Sequence, residues 1–180
     1  MNRLRAIFLL AASVLMLTLT PAMAADQKTV LHDSLTVDQF VTNYNQISGH
    51  KIVDYGNKKS AGENTVCFGV IDENNVAIMT ETPDGRLLNI ILLHRGAIGE
   101  AEKATLKDVF FSVNQALGFK KNDDTAEARL KAAFDLLALD KQDFSPSRLS
   151  RADIGRDYFY VKDYKADKDV YSIVIEAIKN

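Results

Sequence analysis

The chain has 180 residues, of which 47% are hydrophobic and 26% are charged, and its mean hydropathy is −0.10. These values are typical of a globular protein, and they exclude a disordered, a collagen-like and a multi-span membrane protein. The formal net charge of −2 provides no general attraction to nucleic acid or to an anionic membrane surface. The length fits a single domain that can bury one sizeable core.

The first 24 residues have the pattern of a cleavable secretory signal peptide. Arg3 and Arg5 form a short basic start, and a mostly apolar run from Ala6 to Leu19 follows. Ala22-Met23-Ala24 then presents small residues at the two positions that a signal peptidase reads. A spanning helix needs about 20 apolar residues, and this run is shorter, which disfavours a membrane anchor. We predict cleavage after this motif and a periplasmic or secreted protein, residues 25–180, without a stable membrane anchor.

Cleavage would remove Arg3 and Arg5 and no acidic residue, which leaves 20 basic and 24 acidic residues and a net charge of −4. Cys67 is the only cysteine, so no disulfide can form within the chain, although disulfides are common in exported proteins. Packing alone is therefore expected to stabilise the fold.

The first predicted element of the mature chain is a helix over Val37–Ser48. Thr36 is a favourable N-cap, and Gln39 three residues later completes a capping box. Apolar residues recur at helical spacing, and Gly49 is placed to end the helix. The following stretch, Lys51–Asn64, is predicted to be mostly irregular, with a short extended piece.

Three strands are predicted next, over Val66–Ile71, Val76–Thr82 and Leu87–Leu93. The turn residues 72–75 and 83–85 join them, so the three strands should form an antiparallel meander. The third strand is almost entirely apolar, which indicates a central strand covered on both faces.

Two helices, a loop and a hairpin complete the prediction. The helices are expected over Glu100–Leu117, with Gly118 at its C-terminal cap, and over Thr125–Leu139. Asp140–Asp157 is predicted to be a long loop, and the hairpin is expected from the remaining strands, Tyr158–Asp163 and Val170–Ile178.

The predicted order is therefore α-β-β-β-α-α-β-β. Strands grouped apart from helices indicate a single α+β domain in which about three helices cover an antiparallel sheet of about five strands. The sheet combines the meander with the C-terminal hairpin.

Cys67 and His94 are the one pair of residues that could form a catalytic dyad, as a thiol and an imidazole meeting across the sheet. The alternative for Cys67 is a buried, inert core cysteine, which its apolar neighbours favour. The alternative for His94 is a solvated histidine at the end of a strand near a sheet edge. The sequence favours these two structural interpretations.

Arg148, Arg151 and Arg156 make the predicted loop Asp140–Asp157 a candidate binding surface for a protein partner or an anionic group. A loop this long in a compact domain is often functional. The alternative is a solvated connector with scattered arginines. No nucleotide-binding, serine-hydrolase or zinc-type motif is present, and the turn 72–75 lacks the order of a calcium loop, so no cofactor or metal is predicted.

The order of elements in the mature chain opens with Leu35-Thr36-Val37-Asp38-Gln39-Phe40 and closes with Tyr158-Phe159-Tyr160-Val161 and Ile173-Val174-Ile175-Glu176. In these ends and in its order of elements it resembles small enterobacterial periplasmic proteins of unknown function. The resemblance implies the compartment and a single domain, and no activity. The order is also similar to that of type III secretion chaperones, but those proteins lack a signal peptide and end in a helix.

These observations favour an exported, non-catalytic binding or protein-interaction protein over an enzyme. The alternative is a small hydrolase or thiol-dependent enzyme that uses Cys67 and His94. A periplasmic protein is the expected partner, and a homodimer would follow if the strand Val170–Ile178 lay at a sheet edge. Nucleic acid is not expected as a partner.

Overall fold

Two helices and one antiparallel sheet of seven strands make up the part of the chain that the computed structural model describes, namely residues 31–32, 34–118, 131, 150–154, 158–165 and 170–177. In chain order the elements are α1 (Val37–Ile47), β1 (Lys58–Ala61), β2 (Asn64–Val70), β3 (Asn75–Glu81), β4 (Leu87–Arg95), α2 (Glu100–Ala116), β5 (Ser150–Ile154), β6 (Tyr158–Lys165) and β7 (Val170–Ala177). The predicted α+β class and antiparallel sheet are confirmed. The predicted helix Thr125–Leu139 lies outside the described residues, except for Lys131.

The strands lie in the spatial order β1-β2-β3-β4-β7-β6-β5. The five predicted strands correspond to β2, β3, β4, β6 and β7, and the meander and the hairpin join where β7 pairs with β4. The register of this junction aligns Ile90 with Ile175. Because β7 is paired on both sides, it does not lie at a sheet edge, which was the condition for a homodimer built on this strand.

The predicted order of elements is wrong at the two edges of the sheet. Lys58–Ala61, expected to be irregular, forms β1, and Ser150–Ile154, expected to lie in a loop, forms β5. β1 has no alternating apolar pattern, and β5 has only Ala152 and Ile154 in alternation, because an edge strand is held mainly by backbone pairing with one neighbour. The left-handed backbone of Gly62 (φ 66°) makes the tight turn from β1 to β2 possible.

The sheet buries residues on both faces. The row Cys67, Met79, Ile90 and Ile175 faces the helices and belongs to a cluster that includes the apolar residues of α1 and α2. On the opposite face a second cluster consists of Val66, Phe68, Val76, Ile78, Ile91, Leu93 and Val170. This arrangement confirms that β4 is a central strand with apolar side chains on both faces.

The capping box of α1 is confirmed, but the predicted end of the helix is wrong. The Gln39 N–H donates to the Thr36 hydroxyl over 3.2 Å, and the Thr36 N–H donates to the Gln39 side chain over 3.0 Å. Gly49 does not take a left-handed conformation. Instead, Ser48 leaves the helix in an extended conformation, and the Lys51 ammonium donates to the Ser48 carbonyl over 2.7 Å.

The side chain of Ser48 joins the two helices. Its hydroxyl oxygen lies 3.1 Å from a carboxylate oxygen of Asp108 in α2 and 3.2 Å from the Tyr44 hydroxyl in α1. The helix α2 ends at Ala116, one residue before its predicted end, and Gly118 adopts the left-handed conformation (φ 99°) that its predicted capping role requires. The helices therefore pack together on one side of the sheet, at positions fixed by polar contacts as well as by apolar packing.

Candidate functional site

Cys67 lies in the middle of β2 and is fully buried. Its sulfur is 4.0 Å from a carboxylate oxygen of Glu81. Burial raises the pKa of the Cys67 thiol to about 11, and the negative charge of Glu81 acts in the same direction. The thiol is therefore protonated at neutral pH, and the thiolate that nucleophilic catalysis requires is disfavoured.

The carboxylate beside Cys67 forms an ion pair with a lysine. Glu81 is only 7% exposed, and its carboxylate accepts a hydrogen bond from the Lys58 ammonium over 3.1 Å. This bond raises the pKa of Lys58. This pair was not predicted from the sequence, although Glu81 follows Ala77 and Met79 at two-residue spacing, which places it on the buried face of β3.

His94 is a buried residue within β4, so the prediction of a solvated histidine near a sheet edge is wrong. It is 2% exposed, and β4 lies between β3 and β7. The error arose because the strand continues to Arg95, two residues beyond its predicted end. The ring of Tyr171 lies beside the imidazole, with 6.1 Å between ring centroids.

A polar network connects His94 with the turn between β2 and β3. The Asn75 amide nitrogen donates to Asp72 over 2.8 Å, and its amide oxygen lies 3.0 Å from the His94 Nδ1. The same Asp72 carboxylate accepts the backbone N–H groups of Asn74 and Asn75, each over 2.8 Å. Residues 72–75 therefore form the predicted turn between the two strands, and the Asp72 carboxylate stabilises that turn.

This network assigns the tautomer of the imidazole. Because the Asn75 amide nitrogen donates to Asp72, its oxygen faces His94 and accepts a hydrogen bond from the Nδ1–H. The Nε2 atom then carries no proton, and no hydrogen-bond partner for it lies among the described residues. Burial lowers the pKa of His94, while the backbone of Ala97 and the charges of Asp72 and Glu102 act in the opposite direction. The histidine is thus held neutral.

The structure does not bring Cys67 and His94 together. Cys67 shares a cross-strand row with Ile90, and His94 lies four residues further along β4. Four residues of strand span about 13 Å, and two strand spacings add about 10 Å across the sheet. The two side chains therefore do not form the dyad that a thiol-dependent enzyme would need.

Of the three candidate arginines, the structure describes Arg151. It lies in β5 and is aligned with Val161 of β6, whereas Arg148 and Arg156 lie outside the described residues. Arg151 is therefore on the last strand in the spatial order of the sheet. Within the predicted loop Asp140–Asp157, residues 150–154 therefore form a strand, and Arg151 lies in that strand.

Within the described ranges, no group of three or more histidine, cysteine, aspartate or glutamate side chains is arranged to hold a metal ion. The helices of that part of the chain are also too short or too polar to cross a membrane. No protein-family model, curated protein sequence or solved structure significantly matches this chain.

Proposed function

We propose that the mature chain, residues 25–180, works outside the cytoplasm as a non-catalytic protein-interaction module. The basic start, the apolar run and the Ala22-Met23-Ala24 motif support the export part of this proposal. The buried, protonated state of Cys67 and its separation from His94 support the non-catalytic part. We therefore assign the chain a role in binding another protein.

The proposed binding surface is the arginine-bearing segment that contains Arg148, Arg151 and Arg156. The observation that carries this assignment is the position of Arg151 on β5, where the sheet ends among the described strands. A partner can approach such an edge without displacing a strand. Arginine is also enriched at protein interfaces, because its guanidinium forms several directed hydrogen bonds with carboxylates.

Affinity capture from periplasmic extract tests this surface. The tagged, exported chain is compared with the triple variant R148A/R151A/R156A, and we expect the variant to lose the recovered partner. The matched control K59A/R95A/K107A removes the same amount of positive charge from three exposed positions elsewhere and should retain it. If the arginine variant and the wild type recover the same partner in equal amounts, the assignment of the surface is wrong.

A further inference from the structure

The outer edge of β5 has no strand beside it among the described strands. β5 pairs with β6 from Ser150 opposite Lys162 to Ile154 opposite Tyr158, and it is last in the sheet order. In an antiparallel sheet every second residue of an edge strand directs its backbone N–H and C=O groups away from the neighbouring strand. These groups can pair with another strand.

The two edges of the sheet differ in how they are protected. The opposite edge strand, β1, begins with Lys58 and Lys59, both exposed, and is only four residues long. Lysine and short length are common means of preventing edge-to-edge pairing. The five residues of β5 include no lysine and no proline. The charges on β5 are of opposite sign, Arg151 and Asp153, whereas those on β1 are both positive, so only β5 can match charge with a second copy of itself.

We propose that β5 pairs antiparallel with β5 of a second copy about a two-fold axis at Ala152. In this register Arg151 stands opposite Asp153 of the second copy, and Asp153 stands opposite Arg151 of that copy. Oppositely charged residues directly across an antiparallel pair stabilise it. The sequence Ser-Arg-Ala-Asp-Ile is thus complementary to itself in charge, as a two-fold interface requires.

The charges also select this register over its neighbours. Moving the axis by one residue in either direction places Arg151 opposite Arg151, or Asp153 opposite Asp153, of the second copy. Like charges directly opposite one another destabilise a strand pair. Among two-fold registers of β5, the one centred on Ala152 is therefore the one in which charge is matched.

The dimer should be weak and reversible, because a five-residue strand pair buries less area than the interface of a permanent dimer. It would join two seven-stranded sheets into one continuous sheet. The inference goes beyond the proposed function, since the bound molecule is a second copy of this chain rather than another periplasmic protein.

Charge exchange provides the test. The mass of the mature protein in solution is measured by light scattering over a wide concentration range for the wild type, R151D and D153R. We expect the wild type to dimerise as concentration rises, and each single variant to remain monomeric because its pairing places like charges opposite. An equimolar mixture of the two variants should dimerise, since every cross-strand pair is then complementary. The control K59E, at the other edge, should behave as the wild type does.

Three results would overturn the proposal. The first is a wild type that remains monomeric at every concentration. This result overturns the proposal whether or not R151D and D153R also change the capture of a periplasmic protein. Altered capture would then assign the edge to a different protein. The second is dimerisation of the single variants as strong as that of the wild type. The third is a monomeric mixture of two variants that circular dichroism shows to be folded. R148A/R156A keeps the Arg151–Asp153 complementarity, so its capture of partners tests the proposed function separately.

Discussion

At the scale of single residues, the surroundings of Cys67 keep its thiol protonated. It is enclosed by the core that the helices form with the sheet, and the Glu81 carboxylate 4.0 Å from its sulfur outweighs the opposite effect of the Lys58 ammonium on its pKa. Its reactivity should therefore depend on opening of the fold. The pKa of about 11 implies that raising the pH to 9 does not activate it.

We expect Cys67 in the native protein to resist a thiol reagent between pH 7 and pH 9 and to react fully after denaturation. The control variant C67A/S60C moves the thiol to an exposed position in β1 and should react at once. The rate of labelling, followed by mass spectrometry, checks this expectation. Rapid labelling of native Cys67 would revive the hypothesis of a thiol-dependent enzyme.

His94 should make the stability of the protein depend on pH. Its pKa in the folded chain is lowered from 6.5 by burial, so the unfolded chain takes up the proton first as the pH falls. The free energy of unfolding should therefore be highest above pH 6.5, fall as the pH drops through 6.5, and stop falling from this cause below the folded pKa.

Denaturant unfolding at pH 7.5 and pH 5.5 measures this dependence. We expect H94Q to be less stable than the wild type at pH 7.5 by roughly 1–3 kcal/mol, because Asn75 loses its buried partner. The difference in stability between the two pH values should shrink in H94Q and persist in the control H50Q. An unchanged pH dependence in H94Q would show that His94 is not the group responsible.

At the scale of elements, the segment before β1 that contains Ile52 and Val53 packs closely against β2. Val53 bridges to Val70, and this pairing brings Ile52 against the backbone of β2 at Gly69. A β-carbon at residue 69 would collide with the Ile52 side chain and would lie 3.3 Å from the Met79 side chain. The glycine is therefore required by space, as its backbone is not left-handed.

The substitution G69A should destabilise the protein by about 1–3 kcal/mol, the usual cost of overpacking a core. G49A is the control, because a β-carbon at residue 49 would meet nothing within 4 Å. Thermal or denaturant unfolding compares the two variants with the wild type. Equal stability of G69A and G49A would mean that the segment before β1 does not pack on β2 in this way.

Elements with strong local signals were predictable from the sequence. The capping box at Thr36 and the apolar run of β4 each specify their element through nearby residues. The edge strand β1 has no apolar alternation, and β5 has only Ala152 and Ile154. Both depend on pairing with a neighbour, so local patterns were too weak to reveal them. The same applies to the candidate site. The Asn75–His94 contact joins residues 19 positions apart and depends on the strand register.

At the scale of the whole molecule, the proposed export predicts removal of residues 1–24. Expression of the full chain in a bacterium should yield a periplasmic or secreted protein whose amino terminus is Ala25. A chain lacking residues 2–24 is the control and should remain in the cytosolic fraction. Subcellular fractionation and N-terminal sequencing provide the measurement. Recovery of the full chain from the cytosol with Met1 retained would contradict the proposed compartment.

The pairing of β4 with β7 has a consequence for when the protein can fold. Ile90 acquires its neighbour Ile175 only when 85 further residues have been synthesised. Pairings between such distant residues form slowly, since a long segment must first be closed into a loop. Until then β4, an almost wholly apolar strand, lacks one of its two neighbours. During the export that we propose, the nascent chain would therefore remain incompletely folded, and the sheet would be completed only after β7 had been translocated.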